Sequence, residues 1–383
     1  MKLWTVLTLV LIVTVLASGV RCEEEETIKI GALFAVTGSA AWLGEPEKNT
    51  AEMLANEVNA AGGINGKKVE LIVEDTEGDN TKAVQAASKL INKEKVVAII
   101  GPSRSGTTMA VVPVVQKAQV PLISCAAAAP IVTPVEERKW VFKTPQMDSD
   151  AVIRIYEHMK SKGIKKIAII TGTTGFGSSG RDQLKKYAEE MGIEIVADET
   201  YAPSDTSMIA QLTKIKNSDA QAIVNWSIVP AQSIVPKNMK QLDMKIQLYQ
   251  SHGFGNVKYA EAAGDAAEGI LFPAGPLLAV ESLPEDHPQK KVLMQYKNDY
   301  EKHFGDTAST FGGHSFDAFN MVKLAIEKEG PTRDGIRKGL EEINGYVGTA
   351  GIFKLSPSDH VGLDKYAFEM LTVKDGKFVV LTE

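Results

Sequence analysis

The sequence predicts an α/β protein whose strands form parallel sheets in two lobes. Short β-branched runs alternate with longer amphipathic segments from Thr27 onward, and the same alternation restarts near Thr144-Pro145. At 383 residues the chain also exceeds what one ordinary hydrophobic core accommodates.

In the first series, strands are expected over 28–34, 69–74, 96–100 and 120–124, with helices over 47–61, 80–92 and 109–118 between them. Short links between strand, helix and strand place the strands side by side and parallel, with helices on both faces. The second series has helices over 148–162, 181–191, 208–217 and 229–241, and strands over 166–171, 193–197, 222–226 and 246–249. After Phe272-Pro273 a Pro-rich linker runs to Pro288, and helices follow over 289–304, 314–329 and 332–344. A hairpin over 367–373 and 377–381 closes the sequence, with Asp375-Gly376 at its turn.

Composition excludes several functions. Lys and Arg total 42 against 48 Asp and Glu, a net charge of −6, and no basic block interleaves with aromatics, so nucleic acid is not an expected partner. Met1-Lys2, an apolar run over 3–16 and the small residues Ala17, Ser18 and Gly19 form a secretory signal peptide, placed at 1–22. Its apolar core is shorter than the roughly 20 residues a membrane span needs. The mature protein is therefore expected to be periplasmic or secreted. Arg21 stands where lipidation of Cys22 wants a small residue, so a lipid anchor is the less favoured reading. Cys125, among apolar and small residues, reads as an inert buried thiol.

The chemistry concentrates at two neighbouring strand ends. The run over 96–100 stops at Gly101-Pro102, and the run over 120–124 leads into Cys125-Ala126-Ala127-Ala128-Ala129-Pro130. Between them Ser103, Ser105, Thr107 and Thr108 crowd a helix start, where hydroxyls and unpaired N–H groups suit a carboxylate or phosphate. No base, nucleophile or metal ligand stands beside them, which points to holding a small acid without transforming it and to no cofactor or metal.

Other motifs have blander readings. Gly175-Phe-Gly177-Ser-Ser-Gly180 has the spacing of a dinucleotide fingerprint, with Asp198 about 20 residues on. The expected strand ends at Thr171, too early for the tight turn that brings backbone to pyrophosphate, so these glycines are read as a flexible cleft-edge loop. An exported nucleotide-dependent enzyme is the alternative from a different class. His314-Ser315 near Asp317 shares one helix start, where Ser315 is read as a cap, and Glu74-Asp75 is read as forming hydrogen bonds at the lobe edge.

Five motifs occur in order: Gly31-Ala-Leu-Phe-Ala-Val-Thr-Gly38, Asn59-Ala-Ala-Gly-Gly-Ile-Asn-Gly66, Ile100-Gly-Pro-Ser-Arg-Ser-Gly106, Val120-Pro-Leu-Ile-Ser124 and Thr171-Gly-Thr-Thr-Gly-Phe-Gly177. Together they resemble the Leu/Ile/Val-binding cluster of ABC-importer solute-binding proteins, with the type I periplasmic binding fold. The resemblance implies two Rossmann-like lobes joined by a three-crossing hinge that closes on a ligand. One lobe would comprise 27–146 plus 274–362, the other 147–273 plus 363–383. It further implies a monomer that docks on a membrane permease, with a ligand-sensing receptor of the same fold as the alternative.

Carried over residue by residue, the resemblance implies that the ligand carboxylate meets Ser105, the backbone of Gly106 and Thr107, and the loop Ala126, Ala127 and Ala128. Phe176 would pack on the ligand body, with Trp42, Leu43 and Trp226 adding apolar wall. Amino-acid binders hold the ligand's ammonium with a hydroxyl near the position of Ala128 and an acid near that of His252, and both are missing. The expected ligand is a small carboxylate, an aromatic or aliphatic acid or a branched-chain amino acid-like one, with His252 placed to meet a polar group on it.

Overall fold

The computed structural model describes residues 27–382. The expected signal peptide and Cys22 lie outside the described residues.

The first sheet contains β1 (Ile28–Phe34), β2 (Val69–Asp75), β3 (Ala98–Ile100), β4 (Leu122–Ser124) and β5 (Val141–Lys143). All pairs are parallel in the order β2-β1-β3-β4-β5, with Ile28 opposite Val69 and Ala32 opposite Ile100. Helices α1 (Ala41–Ala60), α2 (Asn80–Lys89) and α3 (Ser105–Ala118) connect them. The order reverses between β1 and β3, and the carboxyl ends of strands at such a switch point leave a crevice. There the Ala35 amide donates to Ser103 Oγ at 3.0 Å.

The second lobe repeats the plan. Its strands β6 (Lys166–Gly172), β7 (Glu194–Tyr201), β8 (Ala222–Trp226), β9 (Gln247–Gln250) and β10 (Leu271–Ala274) are linked by α5 (Gly175–Ala188), α6 (Ile209–Lys216), α7 (Ile234–Gln241) and α8 (Val257–Ala263), with α4 (Asp148–Ser161) leading in. Here the reversal falls between β6 and β8, so Phe176 and Trp226 sit at the matching crevice.

The chain then forms α9 (Lys290–Phe304), α10 (Thr310–Glu329), α11 (Arg333–Glu341) and the small hairpin β11 (Asn344–Val347) and β12 (Ile352–Lys354). Ala318, Phe319, Val322 and Ala325 of α10 share a core with Ile28, Ile30, Ala51 and Leu54 of the first lobe. Finally β13 (Glu369–Lys374) and β14 (Lys377–Val380) extend the second sheet, which reads β14-β13-β10-β9-β8-β6-β7. Asp375 and Gly376 both take positive φ, 50° and 72°, as a tight two-residue turn requires. Among the described residues no helix is long and apolar enough to cross a membrane.

The two-lobed α/β architecture expected from the sequence is the one observed. The sequence reading overlooks β5, α8, β10 and the β11–β12 hairpin, all short. It also starts α1, α3, α5 and α10 four to six residues too late, because Gly, Ser, Thr or Pro, which have weak helix propensity, interrupt their opening turns. Packing overrides propensity at these starts. A Cβ on Gly44 would strike the backbone of Ala35, and one on Gly177 the backbone of Gly172.

Candidate functional site

The first turn of α3 faces the cleft. Ser105 is its first residue, buried, and its Oγ accepts the Ala128 amide at 3.4 Å, leaving the hydroxyl proton to donate elsewhere. The amides of Ser105, Gly106 and Thr107 lie before the helix ladder begins, at the positive end of the helix dipole, whereas Thr108 N already reaches Arg104 O at 2.9 Å. The Thr107 hydroxyl is spent on Arg104 O at 2.8 Å, so Thr107 offers its backbone alone. Ser103 is no helix cap: it receives Ala35 N and donates to Glu47. Burial holds the Glu47 carboxyl well above the ordinary range against the lowering effect of Ser103.

The loop after β4 completes this side. Ala126 N donates to Ser124 Oγ at 3.1 Å, Ala127 O accepts Lys143 Nζ at 2.6 Å, and Ala128 N meets Ser105. Lys143 is fully buried at the end of β5 and also donates to Gln146 O at 3.1 Å. Burial pulls its pKa down to about 8, opposed by Asp148 and Asp150. A charge placed there makes the crevice attractive to an anion.

Across the cleft the walls are aromatic. Phe176, in the first turn of α5, lies 5.7 Å from Trp226 and 5.2 Å from His252, while His252 lies 5.5 Å from both Trp226 and Phe368. His252 sits on a short turn after β9, and neither of its ring nitrogens has a hydrogen-bond partner. Burial foremost, then the nearby charges of Lys143 and His314, keep its pKa well below the usual value, so the ring is neutral. Leu43 and Ala127, though carried by first-lobe segments, belong to the second lobe's core together with Phe176 and Trp226. Trp42 packs at its edge, 5.2 Å from Tyr259, and its carbonyl accepts Asn256 Nδ2 at 3.0 Å. The lobes touch where Gly106 meets Gly175: a Cβ on Gly175 would stand 2.9 Å from Gly106 N.

The structure thus brings together Ser105, Gly106, Ala126, Ala127, Ala128, Phe176, Trp226, His252, Trp42 and Leu43, with Thr107 contributing backbone only. Several sequence expectations are corrected. The glycines of 175–180 form no loop; they open α5 directly behind its cap Thr174, and Gly180 is required because the Trp226 indole lies on it. Ser315 lies inside α10, whose cap is Ser309, and donates to Glu47 O at 2.8 Å. Asp317 binds the Thr349 and Ala350 amides at 2.7 and 2.8 Å, so no triad forms. The hydrogen bonding expected at the lobe edge is present: Asp75 accepts Thr37 Oγ1 at 2.6 Å and Val36 N at 3.0 Å. Among the described residues no cluster of three metal-ligating side chains occurs.

Sequence reasoning missed Lys143, Asp148, Ser179 and Phe368, and weighed His314 only as part of a triad. A lysine inside the apolar run Val141-Phe142-Lys143 was a readable signal; Phe368, brought in by the last crossing of the chain, offered none.

Comparison with known proteins agrees with this fold. The family model of the periplasmic binding protein matches residues 27–377. The Leucine-, isoleucine-, valine-, threonine-, and alanine-binding protein of Pseudomonas aeruginosa is 27% identical over 312 residues, covering 80% of this chain and 79% of its own length. Among solved structures, an extracellular ligand-binding receptor from Rhodopseudomonas palustris HaA2 superposes with a TM-score of 0.86 at 32% identity, covering 93% of this chain and 100% of the receptor. The branched-chain amino acid transporter substrate binding protein LivJ from Streptococcus pneumoniae, in complex with isoleucine, gives a TM-score of 0.80 at 27% identity, over 94% and 100% of the two chains.

Proposed function

Because the chain belongs to the periplasmic binding protein family, as a solute-binding protein and not an enzyme, we propose that it is the extracytoplasmic component of an ABC importer for a small carboxylate. Its acid group meets the Ser105 hydroxyl, the first amides of α3 and the Ala126–Ala128 loop. Its apolar body lies against Phe176, Trp226, Trp42 and Leu43. Because the ligand touches both lobes, it favours the closed arrangement over the open one, and the closed form is what a membrane permease receives. Export by cleavage of the segment 1–22 and a monomeric state belong to the same reading.

One observation carries the choice of ligand class. The relatives named above include proteins for branched-chain amino acids, one holding isoleucine, yet here the side chain at the far wall is a neutral, unpartnered His252 beside the positive Lys143. An ammonium group desolvated there lacks an anionic acceptor, which costs several kcal/mol. Of the buried carboxyls near the site, Asp148 is occupied by the Ala129 amide and Ser179, and Glu47, bonded by Ser103 through one oxygen with Oε1 unpartnered, is held well above the ordinary carboxylate range by burial and so is no anionic acceptor.

Titration calorimetry with leucine and with 4-methylpentanoate, which differ by the ammonium alone, tests the reading. We expect the plain acid to bind more tightly; tighter binding of leucine refutes the ligand class.

A further inference from the structure

His252 presents two buried ring nitrogens without partners, and His314 presents a third, Nδ1. Buried polar groups in folded proteins are almost always paired, so these three histidine nitrogens, on rings near enough for the His314 charge to act on His252, and the unpartnered Nε1 of Trp226 beside them mark a site that something else completes. The two rings arrive from different parts of the chain. His252 is on the turn after β9, with 9% of its surface exposed, and His314 is in the second turn of α10, with 7% exposed. These segments are stitched together, because Thr310 donates both its amide and its hydroxyl to Gly255 O, at 3.2 and 3.0 Å. The His314 carbonyl in turn accepts Thr144 Oγ1 at 2.9 Å, next to Lys143. His252 is boxed by Phe176, Trp226 and Phe368.

We propose that His252 and His314 form the far end of the ligand site and that they receive a hydroxyl, so the solute is an acid whose aromatic body ends in a phenolic or alcoholic OH. This rests on the carboxylate reading above and narrows it. The complement follows from donor and acceptor counting. A neutral imidazole offers one N–H and one lone pair, and a hydroxyl likewise both donates and accepts, so one OH can bridge two such rings. An ammonium only donates, and it would stand beside Lys143. A second carboxylate would be drawn by the Lys143 charge, but it only accepts, so it leaves the imidazole lone pairs unpaired and places an anion inside a box of three aromatic rings. Rings at 5.2 to 5.5 Å from His252 favour a flat body on the way to it.

The test is calorimetry of the mature protein with benzoate and 3-phenylpropanoate, each with hydrogen, hydroxyl or carboxyl at the para position. On the scaffold that spans the cleft, we expect the para-hydroxyl to tighten binding roughly ten- to a hundredfold over the plain acid. In His252→Phe the ratio between hydroxylated and plain acid should fall towards one. Equal affinities in the wild type, with the nitrogens satisfied by water alone, overturn the proposal, as does preference for the dicarboxylate. Ser105→Ala separates the two readings: it should weaken the plain and hydroxylated acids alike. Acids that ignore Ser105→Ala, or no acid bound at all, overturn the carboxylate reading itself and this inference with it.

Discussion

Asp148 Oδ2 accepts the Ser179 hydroxyl at 2.5 Å while its Oδ1 accepts the Ala129 amide at 3.1 Å, so one carboxylate at the start of α4 ties the first-lobe loop beside the site to the second-lobe helix α5. Burial raises its pKa, and Lys143 and the bound donors offset this. Replacing Asp148 with alanine leaves Ala129 N and Ser179 Oγ unpaired and strips Lys143 of the strongest of its neighbouring charges, leaving Asp150 and Asp359. Loss of about 2–4 kcal/mol of stability is expected in urea titrations, with Asp148→Asn retaining part of it. No change in the midpoint would show that the bridge is unimportant.

Ser105 makes one long internal hydrogen bond, from Ala128 N at 3.4 Å, so its removal should cost the fold little. Its role toward a ligand carboxylate is larger. Ser105→Ala should weaken acid binding about 5- to 30-fold, roughly 1–2 kcal/mol, with the melting temperature of the unliganded protein nearly unchanged. Unaltered affinity for every acid would place the carboxylate elsewhere.

A methyl group at position 175 would press on Gly106 N at 2.9 Å and Gly106 Cα at 3.0 Å, backbone atoms of the opposite lobe that no rotamer change can move aside. Gly175→Ala should therefore oppose closure. The substitution itself favours the helix by up to about 1 kcal/mol, so folding should survive. We expect affinity to fall tenfold or more, with small-angle scattering under saturating ligand showing a larger radius than the wild type. Wild-type affinity would mean that the lobes do not meet here when ligand is bound.

Acid stability should be set partly by the two site histidines. Burial, with Lys143 next, pushes His314 down to about 3, and His252 is shifted the same way. The unfolded chain therefore binds more protons than the native one below about pH 6.5, and stability falls as pH falls, by about 1.4 kcal/mol per pH unit for each proton. Asp317, raised to about 7 by burial, acts in the opposite sense, since its native proton is lost as pH rises. His314→Asn should flatten the acid limb by about 1.4 kcal/mol per unit between pH 5.5 and 4. Denaturation curves at pH 7, 5.5 and 4 measure this, and a wild-type slope in the variant contradicts it.

The alternation of strand and helix was legible because each periodic run buries its own apolar face, so local pattern and final structure agree over β1, β8, α2 and α6. Helix starts at the crevice were not. Gly44, Gly175, Gly177 and Gly312 read as breakers along the chain, yet each is where another backbone or side chain comes too close for a Cβ. Thr107 shows the same limit, since a hydroxyl in sequence does not reveal that Arg104 O takes it.

By itself the sequence determined the two parallel-sheet lobes and the hydroxyl-rich helix start at Ser105, because both follow from contacts between residues close along the chain. Only the tertiary structure decided what faces that turn. Lys143, Asp148, His252, His314 and Phe368 converge from five segments, and whether an imidazole there is charged, paired or bare depends on burial and on neighbours up to more than a hundred residues away. Such proximity comes from the packing of two sheets and their crossings, which periodicity cannot encode.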